Sequence, residues 1–196
     1  MQSQGVVKGD RVAAYIPNIR QAVETMLAAA SLGAIYSSCS PDFGFNGVFD
    51  RFSQIEPKLL VTVDGYFYAG KKISRVDVIR QLKEKLPSLV HILVHDYSGK
   101  ACDLLSEPKI SLYSDALEHS SITEYTPVKF NDPLYILYSS GTTGAPKCIV
   151  HSVGGTLLQH IKEHRLHSNI TKNASVFYFT TCGWMMWNWL VSSLAI

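Results

Sequence analysis

Two spacings of apolar residues alternate along the N-terminal half of the chain. Residues 11–16 form a short apolar run that stops at Pro17, as a strand would. Asn18 can cap a helix: Ile19, Ala22, Val23, Met26, Leu27 and Ala30 recur at helical spacing, Gln21 and Glu24 fall elsewhere, and Gly33 is a suitable stop. Residues 34–37 predict a second strand, and strand-helix-strand order favours a parallel pair with a right-handed crossover. After a turn at residues 40–44, Val48, Phe49, Phe52 and Ile55 mark a helix that ends before Pro57. Residues 59–63 predict a strand, 73–86 a helix with Val76, Ile79, Leu82 and Leu86 on one face, and 90–94 a strand. The rhythm predicts an α/β fold, a mostly parallel sheet with flanking helices.

From residue 97 to 131 the pattern weakens into Ser, Pro and charge-rich sequence, read as a surface excursion. Apolar runs at 134–137 and 148–151 predict two further strands with a loop between them. Leu157, Leu158, Ile161 and Leu166 predict a helix over 156–167, with His160, His164 and His167 along another face. Three histidines at that spacing could bind zinc, but Lys162 and Arg165 stand among them and no glutamate base completes the pattern, so a solvated polar face is expected and no metal site. Residues 176–179 predict a strand. Beyond it, residues 184–189 crowd three tryptophans and two methionines, which core packing alone would explain. No charged residue occurs from 173 to 196, and about 20 apolar residues would span a bilayer. Thr180, Thr181, Asn188, Ser192 and Ser193 interrupt the run, so a buried strand-turn-helix is expected and no membrane span.

Composition narrows the function. With 196 residues, 46% of them hydrophobic, the chain can build a sizeable core. A net charge of +2, and no basic run longer than Lys71-Lys72, argue against nucleic acid and for small-molecule partners. Cys39, Cys102, Cys148 and Cys182 lie far apart without a C-x-x-C pair, which fits reduced thiols in the cytosol. The N-terminal residues resemble neither a signal nor a transit peptide, so a cytoplasmic location is the default.

The candidate chemistry lies between the two strands at 134–137 and 148–151. There Tyr-Ser-Ser-Gly-Thr-Thr-Gly-Ala-Pro-Lys runs from Tyr138 to Lys147. Glycines let peptide N–H groups converge, Ser139, Ser140, Thr142 and Thr143 add hydroxyls, and Lys147 adds charge, which together suit phosphate. A Walker A loop would need glycine and Ser/Thr where this chain has Pro146 and Cys148. A plain surface turn is the simpler alternative.

The ten residues from Tyr138 to Lys147 resemble the signature phosphate loop of the adenylate-forming (AMP-binding) enzymes. The likeness extends over residues 5–196 and is strongest to the acyl-CoA-forming branch, on residues 26–36, 40–44, 51–55, 139–151, 154–164 and 183–189. It implies a ligase in which an acid attacks ATP to give an acyl-adenylate and pyrophosphate, and the thiol of coenzyme A then attacks the adenylate. On that resemblance Ser139, Ser140, Gly141, Thr142, Thr143, Gly144 and Lys147 bind the ATP phosphates, with Lys147 and Thr142 as the catalytic pair. Trp184, Met185, Met186 and Trp187 line the acyl pocket. Acetate-using members carry valine and threonine where this chain has Met185 and Met186, which points to acetoacetate. An Arg-Ala-Gly-Arg segment that grips coenzyme A reads Tyr68-Ala69-Gly70-Lys71 here, leaving Gly70 and Lys71 as the coenzyme A candidates.

The resemblance also implies that residues 1–196 are part of an N-terminal AMP-binding domain. The rest of that domain, with the magnesium ligand, and a mobile C-terminal domain are expected in a full-length parent. The chain by itself is expected to be inactive. A noncatalytic remnant that binds only phosphate or a partner is the alternative.

Overall fold

The computed structural model describes residues 1–117, 124–139 and 144–196. Strand β1 (Arg11–Tyr15) is followed by helix α1 (Arg20–Ser31), β2 (Ile35–Cys39), α2 (Phe45–Ile55) and β3 (Leu59–Val63). A hairpin comes next, β4 (Gly65–Tyr68) and β5 (Lys71–Ser74), then α3 (Val76–Lys85), β6 (His91–His95), the short α4 (Cys102–Leu105) and β7 (Ile110–Leu112). The chain returns through β8 (Pro133–Tyr138), β9 (Cys148–Ser152), α5 (Val153–Lys162) and α6 (Met185–Ser192).

Seven strands form one sheet in the order β7-β6-β3-β1-β2-β8-β9. All neighbours are parallel except β8 and β9, which pair antiparallel. Because successive side chains of a strand point to opposite faces, each buried strand feeds two cores. Val12, Ala14 and Ile16 pack with Ala22, Met26 and Ala29 of α1 and with Trp187 and Val191 of α6. Ala13 and Tyr15 face the other side, with Val48 and Phe52 of α2 and Ile79 and Leu82 of α3. The continuous apolar runs are what a sheet covered on both faces requires.

Four expectations change. The helix predicted from residue 73 begins at Val76, because Lys71–Ser74 is the second strand of the hairpin. That hairpin turns at Ala69 (φ 48°) and Gly70 (φ 74°), two left-handed residues as a tight turn demands. The excursion at 97–131 holds α4 and β7, the latter a three-residue edge strand whose brevity hides any period. Residues 176–179 form no strand, and Phe177 and Phe179 are 85% and 88% exposed. The polar face expected at His160 and His164 is instead buried, at 6% and 0% exposure, and only His167 is exposed. Among the described residues no helix is long and apolar enough to cross a membrane.

Candidate active site

Parallel pairing sets where the site lies. β8 runs parallel to β2, so Tyr138 and the glycine-rich loop after it emerge at the edge where the parallel strands end. In open α/β sheets this edge is where ligands bind. The base of the loop is closed by two bonds: Ser139 N–H donates to the Lys147 carbonyl (3.0 Å) and Lys147 N–H to Ser139 Oγ (3.2 Å). Residues 140–143 lie outside the described residues, so Ser140, Gly141, Thr142 and Thr143 have no placement here. Gly144 is exposed and has φ 99°, a backbone state closed to most side chains.

Helix α2 steadies the returning limb. Gln54 Nε2 donates to the Pro146 carbonyl (2.8 Å), and the Cys148 thiol lies 3.6 Å from Gln54 Oε1. The Arg51 guanidinium sits 4.6 Å from the Phe43 ring centre and 5.7 Å from that of Tyr138. Burial pushes the Tyr138 phenol above its usual range, so it stays a neutral hydroxyl, 3.0 Å from Ser37 Oγ. Lys147 is exposed, and no ion pair among the described residues involves it. Its ammonium is therefore available to an anion. Arg51 and Gln54 fall in the 51–55 segment that carries the resemblance, but nothing in the sequence tied them to the loop, since that depends on α2 packing beside β8 and β9.

The start of α6 reaches the same edge. Ser38 Oγ donates to the Cys182 carbonyl (2.6 Å), and a Cβ on Gly183 would lie 3.4 Å from the Ser40 nitrogen, so residues 182–183 run past the end of β2. Four predicted pocket residues then separate. Trp187 is fully buried, stacks on Tyr36 (6.0 Å) and donates Nε1–H to Asn18 Oδ1 (2.8 Å), which makes it an anchor for α6 in the core. Trp184 is 64% exposed. Met185 and Met186 come together on a cavity of about 650 Å3, with Trp189, with His151 of β9 and with Gln159 and His160 of α5.

Behind that cavity a polar seam joins α5 to α6. His160 Nδ1 and His164 Nε2 each lie 2.9 Å from Ser192 Oγ, and Ser192 Oγ lies 2.6 Å from the Trp189 carbonyl. His164 sits in a π turn (Glu163–His167) that continues α5, and its ring packs 4.5 Å from Trp189. Burial first, then the neighbouring His164 and His151, lower the His160 pKa to about 4. His160 is thus a neutral imidazole at ordinary pH. No group of three His, Cys, Asp or Glu suited to a metal ion occurs among the described residues.

A second cleft, of about 470 Å3, opens beyond the carboxyl ends of β1 and β2, between Asn18, Ser40 and Asp42 on one side and Tyr66 and Tyr68 of the hairpin on the other. Arg75 stiffens its wall: Nε donates to the Pro41 carbonyl (2.6 Å) and the guanidinium lies 4.9 Å from the Tyr66 ring centre. Gly70 and Lys71 do not line this cleft; they are exposed at the tip of the hairpin that does.

The family described as AMP-binding enzyme matches residues 1–195. The chain is 52% identical to an acetoacetyl-CoA synthetase of Macaca fascicularis and 48% identical to an acetoacetyl-coenzyme A synthetase of Rhizobium meliloti (strain 1021), in each case over 100% of this chain and 30% of the relative. Its structure superposes on an acetoacetyl-CoA synthetase from Streptomyces lividans with a TM-score of 0.90 and 43% identity, covering 98% of this chain and 29% of that one. The chain thus spans about 30% of the length of the curated relatives it matches. A family match along nearly every residue, a superposition over 98% of the chain and a glycine-rich loop with an exposed lysine at its end agree, and the chain belongs to the AMP-binding enzymes.

Proposed function

We propose that this chain forms the phosphate- and acid-binding part of a ligase that activates acetoacetate with ATP and passes it to coenzyme A. The observation that carries the reading is that the loop ending in Lys147 and the start of α6, whose Met185 and Met186 line the large cavity, both lie at the edge where the parallel strands end. The names of the relatives support the choice of acid. In the first step a carboxylate oxygen of the acid attacks the α-phosphorus of ATP and the bond to pyrophosphate breaks. Negative charge grows on the departing oxygen. N–H groups, the hydroxyls of Ser139, Ser140, Thr142 and Thr143, and the Lys147 ammonium are the groups that would meet it, and donors preset in this way are the usual electrostatic means of lowering such a barrier. In the second step the coenzyme A thiolate attacks the acyl carbon and AMP leaves.

Met185 and Met186 shape the acid site, and thioether side chains suit an irregular apolar wall. Coenzyme A is assigned to the hairpin side, where exposed Lys71 offers charge to a phosphate next to the tyrosine-walled cleft. Magnesium, when bound, would neutralise the phosphates, and its ligands are sought outside this chain. Four free cysteines agree with a reducing compartment such as the cytosol.

The test is acid-dependent exchange between ATP and pyrophosphate in the full-length protein. Lys147→Ala is expected to slow exchange, loss of one preset donor costing about 3 kcal/mol of barrier, and Gly141→Ala is expected to slow it by crowding the loop backbone. Exchange at the parent rate in both variants would remove the loop from the chemistry.

A further inference from the structure

The seam behind the acid cavity fixes more than the packing of two helices. Ser192 Oγ and the Trp189 carbonyl oxygen are 2.6 Å apart, a separation that two lone pairs would not tolerate, so the serine proton lies between them. This i to i−3 bond is common for serine in a helix. With its only proton spent, Ser192 Oγ can act only as an acceptor toward the two imidazoles 2.9 Å away. Both ring nitrogens must therefore carry hydrogen: His164 is protonated at Nε2 and His160 at Nδ1.

Neutral His160 then has a bare lone pair at Nε2. Nδ1 is turned to Ser192, which does not line the large cavity, whereas His160 does. We infer that His160 is a specificity-determining residue for the acid, presenting Nε2 as a hydrogen-bond acceptor to a water molecule whose second O–H is offered to the carbonyl at the far end of a 3-oxo acid. A carbonyl oxygen cannot bond to a lone pair directly, and one water with two protons supplies the match. His151, on the same cavity, also has its pKa lowered by burial, so no cationic imidazole competes for the acid's own carboxylate there. The carboxylate is left to the start of α6, at the edge where the parallel strands end, and the oxo group to the seam. This inference rests on the reading of the cavity as the acid site.

Two measurements separate it from that reading. In the isotopically labelled chain, 15N–1H correlations of the His160 ring should show hydrogen at Nδ1 in the neutral state; hydrogen at Nε2 would overturn the inference. In the full-length protein, acetoacetate is compared with butanoate, which carries a methylene in place of the oxo carbon. His160→Phe is expected to lower acetoacetate use about tenfold more than butanoate use, the size of one hydrogen bond lost from a desolvated site. Ser192→Ala, which releases Nδ1 and lets the tautomer change, should shift the ratio in the same direction. A merely structural role for the seam would lower both acids together, and an unchanged ratio in both variants would overturn the inference while leaving the acid site intact. Should Met185→Val with Met186→Thr leave selection among acids unaltered, the acid-site reading itself would fall, and this inference with it.

Discussion

At the scale of single residues, the tightest constraint is Gly154. A Cβ built there would lie 2.1 Å from one ring carbon of Phe130 and 2.4 Å from two others, and the backbone cannot retreat, because Gly154 N–H donates to the Phe130 carbonyl (2.9 Å) and Val153 N–H to that of Asp132 (2.9 Å). Alanine is favoured over glycine within a helix by up to about 1 kcal/mol, but overpacking costs about 1 to 3 kcal/mol, so the clash should win. Gly154→Ala is expected to lower the urea midpoint, and Phe130→Ala in the same chain to restore part of the loss. A midpoint raised by Gly154→Ala alone would show that the half-exposed ring swings away freely. The glycine-rich loop stood out as a candidate from residue types alone, because glycines, hydroxyls and a lysine together suit an anion. His160 and His164 could not. Their shared acceptor lies 32 and 28 residues further on, and polar residues on a helix face ordinarily point to water.

Among elements, the α5–α6 seam has a pH signature. His160 in the unfolded chain titrates near 6.5, while in the folded protein burial, His164 and His151 bring it down to about 4, with Glu163 acting weakly the other way. Between those values the unfolded chain binds a proton that the folded one refuses. Stability is therefore full above about pH 6.5 and falls with acid, by up to about 1.4 kcal/mol per unit, until the folded form also protonates. Chemical unfolding of the parent and of His160→Gln across this range should give a shallower slope in the variant, and parallel slopes would show that another group controls the acid limb. The helix α1 and strands β1, β3 and β6 were legible from apolar spacing and flanking turn residues, although Asn18 does not cap α1: the N-cap is Ile19, with no side-chain cap, and Asn18 accepts from Trp187 instead. Residues 176–179 misled because strand propensity supplies no neighbouring strand. The hairpin was hidden by Ile73, whose side chain fits the helical period of α3 by chance.

For the molecule as a whole, parallel order followed from the strand-helix rhythm, while the return of β8 to β2 had no local signal. The apolar surface is uneven. Phe177, Phe179, Trp184 and Leu194 are 64% to 88% exposed on the segments around α6. Covering a large apolar side chain is worth about 1.5 to 3 kcal/mol each, so the 196-residue chain expressed alone is expected to self-associate through this surface. Sedimentation should show it, and Phe177→Ser with Phe179→Ser should reduce it; a monomer at all concentrations would contradict the expectation. A last consequence concerns the order of assembly. Ser37 and Ser38 of β2 bond to the Ile136 and Cys182 carbonyls, 99 and 144 residues further along the chain. Contacts of such separation form slowly. Until β8 arrives, β2 is the rim of a five-stranded nascent sheet, and a bare rim invites pairing with the wrong chain. Two adjacent hydroxyls on that strand, one directed to each face, keep the rim polar while the ribosome is still delivering its proper neighbour, and become internal ties once it has come.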